Sequence, residues 1–235
     1  SPLIYIIGHG GSSTNNPYYA GYNCGACSGR PSSLNARLFA KMANREDVRK
    51  QLKEEGINIP DNTCFIGGMH DTTRDEFSFY DTDSLKLQHS SEHENNLKTF
   101  NLALTNNAKE RARQFASINL KSSKAVIHQK IRRRSIALFE PRPELNHSNN
   151  CLCIVGKRSI TKNLFLDQRA FLHSYNWETD KNGTLLTPIL NAVTPVCGGI
   201  NLEYYFSRTD NENFGAGSKL PHNVVGLFGV VNGIE

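Results

Sequence analysis

The chain begins with an apolar run, Leu3 to Ile7, rich in β-branched isoleucine, that stops at Gly8-His9-Gly10. Such a run predicts a buried strand over 3–7. Residues 8–33 are dominated by Gly, Ser, Asn and Pro and read as a long loop, a length that in compact domains marks functional or disordered segments. The next segment places Leu34, Leu38, Met42 and Val48 near one face of a helix, which Ser33 can cap and Gly56 can end. A second strand is predicted at Cys64–Ile66, closed by Gly67-Gly68 and followed by His70-Asp71. The order strand, helix, strand, with polar residues where the strands end, is an α/β pattern whose ligand sites gather at strand carboxyl ends.

Farther along, residues 76–100 are polar and read as irregular, with a helix building toward Phe100, and 101–118 read as an amphipathic helix. The stretch "CLCIVG" (151–156) predicts a strand, and its alternating Cys151 and Cys153 read as buried thiols. Residues 185–206 are apolar, with Pro188 and Pro195 limiting any helix, and "HNVVGLFGVVNG" predicts a final strand. Neither an internal repeat nor a low-complexity tract interrupts this order.

Composition narrows the class. The chain has 235 residues, 38% hydrophobic and 21% charged, as expected of a globular protein with ample length for a core. No apolar stretch approaches the roughly 18 residues of a membrane span, and the start lacks the basic region of a signal peptide. The absence of an initiator Met and the apolar runs at both ends give the expectation of a piece of a longer protein. Six cysteines spread over this length are unlike a secreted disulfide scaffold, so a reducing cytosol is expected. The net charge of +5 permits an acidic partner without demanding one.

Four constellations carry candidate chemistry. His9 on its glycine turn and Cys24 in the loop are zinc-type donors, although the same glycines could simply make a tight turn. Cys24 and Cys27 form a C-x-x-C, the spacing of thiol redox enzymes, but they lie deep in a loop rather than between a strand and a helix. His70 beside Asp71 can serve as a proton shuttle or support a metal, or Asp71 can merely cap the next segment. The basic run around Arg132, Arg133 and Arg134 could meet an acidic protein face or anionic headgroups. It has no interleaved aromatics that would suggest nucleic acid, and a solvated face is the plain alternative.

Several long segments resemble the DabA family in collinear order: "GHGGSSTNNPYYAGYNCGACSGRPSSLNARLFAKMAN", "FIGGMHDTTRDE", "SITKNLFLDQRAFLHSYN" and "PVCGGINLEYYFSRTDNENFGAGSKLPHNVVGLFGVVNG". Members are the large, soluble subunits of a two-part bacterial inorganic-carbon pump, and this chain is similar to a portion of their C-terminal half. The resemblance implies an α/β fold with a mainly parallel sheet, flanking helices and a core like that of β-type carbonic anhydrases, incomplete in a fragment. Residues 1–120 would form the metal-ligand half of that core and 121–235 an additional α/β portion. It also implies a zinc ion held by His9 and Cys24, with a further Cys and an Asp from a C-x-D motif upstream of this chain. Cys27 would be the spare thiol, and His70 and Asp71 are the candidate catalytic pair. The implied activity of the full-length protein is zinc-dependent hydration of CO₂ to bicarbonate, coupled to a cation gradient. The implied partner is a DabB-like membrane subunit, which the protein would meet as a peripheral component at the cytoplasmic face of the bacterial inner membrane. Two other classes compete with this reading: a thiol redox enzyme using Cys24 and Cys27, and a non-catalytic docking module using the basic run.

Overall fold

The computed structural model describes residues 2–12, 30–137, 152–167 and 170–194. The chain divides into two compact units, Ser1–Glu144 with Pro221–Glu235, and Leu145–Leu220. The fold is α/β, built of helices and small sheets, one mixed and one parallel.

In the first unit, strand β1 (Leu3–Gly10) lies parallel to β2 (Cys64–Asp71), in register from Leu3 opposite Cys64 to Gly10 opposite Asp71. Parallel neighbours need a crossover, and here it carries α1 (Ser33–Ala43) and α2 (Glu46–Glu54). A short third strand, β3 (Glu76–Phe79), folds back antiparallel on β2, in the stretch whose polarity predicted irregular chain. Phe77 and Phe79 alternate with exposed Ser78, a period of two too short to stand out in sequence.

Small residues set how closely α1 approaches the sheet. A Cβ on Gly67 would lie 2.8 Å from the Arg37 Cα, and one on Gly8 would lie 2.5 Å from the Ser32 carbonyl oxygen. Ala36, Ala40 and Ala43 are the buried positions of α1. The predicted apolar stripe is therefore turned outward: Leu34 is 72% exposed, with Leu38 and Met42 also exposed. The predicted single helix also breaks at Asn44, whose side chain donates to the Phe65 carbonyl (2.7 Å) and accepts from the Phe65 amide (2.9 Å). Gly56, in left-handed backbone at φ +83°, follows the end of α2 as the sequence predicts.

The opposite face of the sheet is covered by α3 (Leu87–Arg111). Tyr5, Phe77, Phe79 and Phe100 form an aromatic cluster with ring centroids 4.9–5.6 Å apart. The Tyr5 hydroxyl is 3.0 Å from Nδ1 of the buried His93 and accepts from Asn96 Nδ2 at 3.2 Å. Beyond the sheet, Ala108 and Ala112 pack with Ile118, Phe115, and Ile127 and Ile131 of α4 (Lys124–Ser135). The basic run is thus a helix, and its arginines have different roles. Arg132 pairs with Glu76 at 2.7 Å, while buried Arg134 lies over the Phe115 ring and donates to Ser117. Arg133 is exposed.

The second unit contains a parallel pair, β4 (Leu152–Gly156) and β5 (Ala170–Ser174), followed by α5 (Leu186–Thr194), which contains Pro188 in its first turn. Cys153 is exposed, not buried as its alternation suggested, and Cys151 lies outside the described residues. The strand predicted near the chain's end also lies outside them. Among the described residues no helix is long and apolar enough to cross a membrane.

Gly67→Ala is expected to lower stability by about 1–3 kcal/mol in denaturant titrations, because its Cβ would meet backbone rather than a yielding side chain. Stability should also fall with acidity through His93. Burial depresses its pKa, so between the unfolded value near ~6.5 and the lower folded value the unfolded chain binds more protons. The unfolding midpoint should therefore drop as pH falls below that upper limit and level off below the folded pKa. His93→Gln should flatten the slope.

Candidate functional site

Both strands run on through the glycines at which the apolar runs stop, β1 to Gly10 and β2 to Asp71, and deliver their histidines side by side. His9 and His70 are register partners at the carboxyl ends of β1 and β2, followed by the pair Gly10 and Asp71. Partners in a parallel ladder share a face, and this is the face that carries Tyr5, Phe77 and α3. His9 is partly exposed, with its Nε2 buried. The ring of His70 rests against Phe77, with centroids 5.0 Å apart.

Asp71 follows His70 in a strand and so turns to the opposite face. Its carboxylate orders the loops at the strand ends. Oδ1 accepts from the backbone N–H groups of Ser12 (3.2 Å), Thr73 (3.1 Å) and Arg74 (3.3 Å), and Oδ2 accepts from the Ser12 hydroxyl at 2.5 Å. This carboxylate thereby ties the exit of β1 to the turn between β2 and β3. The Thr72 amide adds a second tie, donating to the Gly10 carbonyl at 2.8 Å.

The acid that faces His70 is Asp75. His70 Nε2 lies 3.3 Å from Asp75 Oδ1, close enough for an ion pair but off the line of a hydrogen bond. Asp75 is fully buried and has left-handed backbone, φ +52°, a conformation that costs a residue with a Cβ about 1–2 kcal/mol. The turn is held by side chains from two helices. Arg111 of α3 pairs with Asp75 Oδ2 at 2.8 Å and donates to the carbonyls of Thr72 and Thr73. Asn107 Nδ2 donates to Asp75 Oδ1 at 2.7 Å, and His128 Nε2 of α4 lies 3.0 Å from the carbonyls of both Arg74 and Asp75. A carboxylate removed from water is tolerable only with such a full set of partners.

The structure therefore brings together His9, His70 and, on the reverse side of the strand, Asp71. Cys24 and Cys27 fall in sequence between β1 and α1 and lie outside the described residues. Among those residues no group of three or more His, Cys, Asp and Glu side chains is arranged to hold a metal. Asp75, Arg111, Asn107 and His128 escaped the sequence reading because their contacts span 32 to 54 positions. Only the charged "TRDE" after the second strand end pointed toward them.

Asp71→Ala should free the strand-end loops by leaving backbone donors without their acceptor. The amides of Ser12, Thr73 and Arg74 are expected to exchange with deuterium about tenfold faster or more, in line with loss of ~1–3 kcal/mol of local stability.

Comparison with known proteins identifies the family of the chain. A family model described as "Probable inorganic carbon transporter subunit DabA" matches residues 1–235. The protein of that name from Azotobacter vinelandii is 54% identical over 99% of this chain and 28% of its own length. The one from Nitrosospira multiformis is 55% identical over 100% of the chain and 26% of its own length. One from Sorangium cellulosum is 47% identical over 99% and 23%. No solved structure matches. The chain spans about a quarter of the length of these curated relatives, and it belongs to the DabA family of inorganic carbon transporter subunits.

Proposed function

We infer that this chain supplies half of a zinc centre in a subunit for inorganic-carbon uptake, and that the full-length protein hydrates CO₂ to bicarbonate there. The observation that carries the reading is the pairing of His9 with His70 at adjacent parallel-strand ends on one face. A ligand on a strand end between Gly8 and Gly10 sits on rigid backbone, which favours metal preorganisation. His9 and Cys24 would hold the zinc with a Cys and an Asp from outside this chain, giving an N/S/O donor set of the kind zinc accepts. When bound, zinc supplies hydroxide at neutral pH by lowering the pKa of its water to about 7.

The chain's own residues have distinct parts in this scheme. His9 holds the metal. His70, on the neighbouring strand and backed by Asp75, is placed to accept the proton released as bicarbonate forms. Asp71 acts by holding Ser12, just past the exit of β1, to the turn after β2. A core like that of β-type carbonic anhydrases would extend the small sheet described above. The names of the relatives make this chain part of a transporter subunit, so a partner is required. We assign that role to a DabB-like, ion-translocating membrane protein, met at the cytoplasmic face of the inner membrane.

Elemental analysis of the intact protein tests the ligand assignment. His9→Ala and Cys24→Ala should each weaken zinc binding by more than about 100-fold, beyond the range seen on losing a supporting hydrogen bond. Cys27→Ala should leave zinc in place. A Cys24 variant that keeps full zinc while the Cys27 variant loses it would reverse the assignment.

A further inference from the structure

The pair His70-Asp71, adjacent in sequence, is split across the two faces of β2, so the acid that serves His70 must come from elsewhere. We propose that Asp75 is the positioning residue for His70, and that Arg111 and Asn107 lock its carboxylate for that task. The proposal rests on the functional reading above, in which His70 takes part in proton transfer.

Three observations carry it. First, His70 Nε2 is buried and 3.3 Å from Asp75 Oδ1, while the His70 side chain as a whole is 26% exposed. The ring therefore buries its Nε2 while part of the side chain stays open to solvent. The contact is off the line of a hydrogen bond, so it acts through charge: a carboxylate beside Nε2 favours the tautomer with the proton there and leaves Nδ1 as the acceptor. Second, Asp75 cannot swing away. Its two oxygens are engaged by Asn107 at 2.7 Å and Arg111 at 2.8 Å, and the backbone carbonyl of the same residue is held by His128. Third, the alternative acid is occupied: both Asp71 oxygens are taken by Ser12, Thr73 and Arg74. The Phe77 ring, opposite His70 in the ladder, limits rotation of the imidazole.

This arrangement differs from a purely structural ion pair in one respect. Arg111 also joins the turn to α3 without the carboxylate, through the carbonyls of Thr72 and Thr73. The carboxylate adds a fixed negative group against the buried Nε2 of His70.

The test uses the full-length protein labelled with ¹⁵N-histidine, with the His70 signals identified by their loss in His70→Gln. In the unaltered protein His70 should show one tautomer, protonated on Nε2. Asp75→Asn is the direct variant, but it takes the facing carboxylate from the buried Arg111 guanidinium, a costly change for folding. The paired change Asp75→Asn with Arg111→Gln removes both charges together and keeps the amide contacts. In the folded paired variant the Nε2–H signature should give way to a mixture of tautomers, with zinc content unchanged and inorganic-carbon uptake reduced tenfold or more. A His70 signature that is unchanged in that variant overturns the proposal. If His70→Gln itself leaves uptake intact, the functional reading of His70 fails, while the tautomer measurement still decides whether Asp75 positions the ring.

Discussion

The β1–β2 ladder is the constraint on which this architecture depends. Its partners run unbroken from Leu3 with Cys64 to Gly10 with Asp71. A slip of one residue would send His9 and His70 to opposite faces of the sheet. Close packing on both faces resists that slip. On one side Gly8 and Gly67 admit α1 to backbone contact, and any displaced side chain would collide with Ser32 or Arg37. On the other, Tyr5 fits among Phe79, Phe100 and His93.

The turn after β2 converts that register into a site. Two carboxylates four residues apart divide the work, with Asp71 gathering backbone donors from both strand exits and Asp75 facing His70. Buried charge of this kind adds little net stability compared with well-packed apolar groups, but removing one partner is costly. The ion pair between Asp75 and Arg111 is thus better understood as a device that fixes geometry. It also joins the site to α3, while His128 joins it to α4, whose Arg132 reaches back to Glu76 on β3.

Much of this was legible in the sequence, for identifiable reasons. Apolar runs that end on glycines revealed β1 and β2, and placed His9 and His70 at strand ends. Gly56 marked the end of the crossover helices. What escaped notice was non-local or small. The packed face of α1 is written in Ala36, Ala40 and Ala43, whereas the bulkier Leu34, Leu38 and Met42 dominated the periodicity and proved exposed. Close approach to glycines selects alanine, a requirement visible only once the sheet is known. The strand β3 has four residues in a polar stretch, too few for its alternation to count. The helix α4 was masked by its charge, since the apolar signal reduces to Ile127 and Ile131 among lysines and arginines. Asp75 could not be assigned to His70 because its fixing partner Arg111 lies 36 positions away.

In the proposed centre the strand-end histidine of β1 joins a zinc shell completed by Cys24 and by ligands from outside this chain. X-ray absorption at the zinc edge of the full-length protein addresses it directly. Two sulfurs are expected at about 2.3 Å, with one imidazole nitrogen and one carboxylate oxygen at about 2.0–2.2 Å. A shell without imidazole scattering, or one with three or four sulfurs, would contradict it.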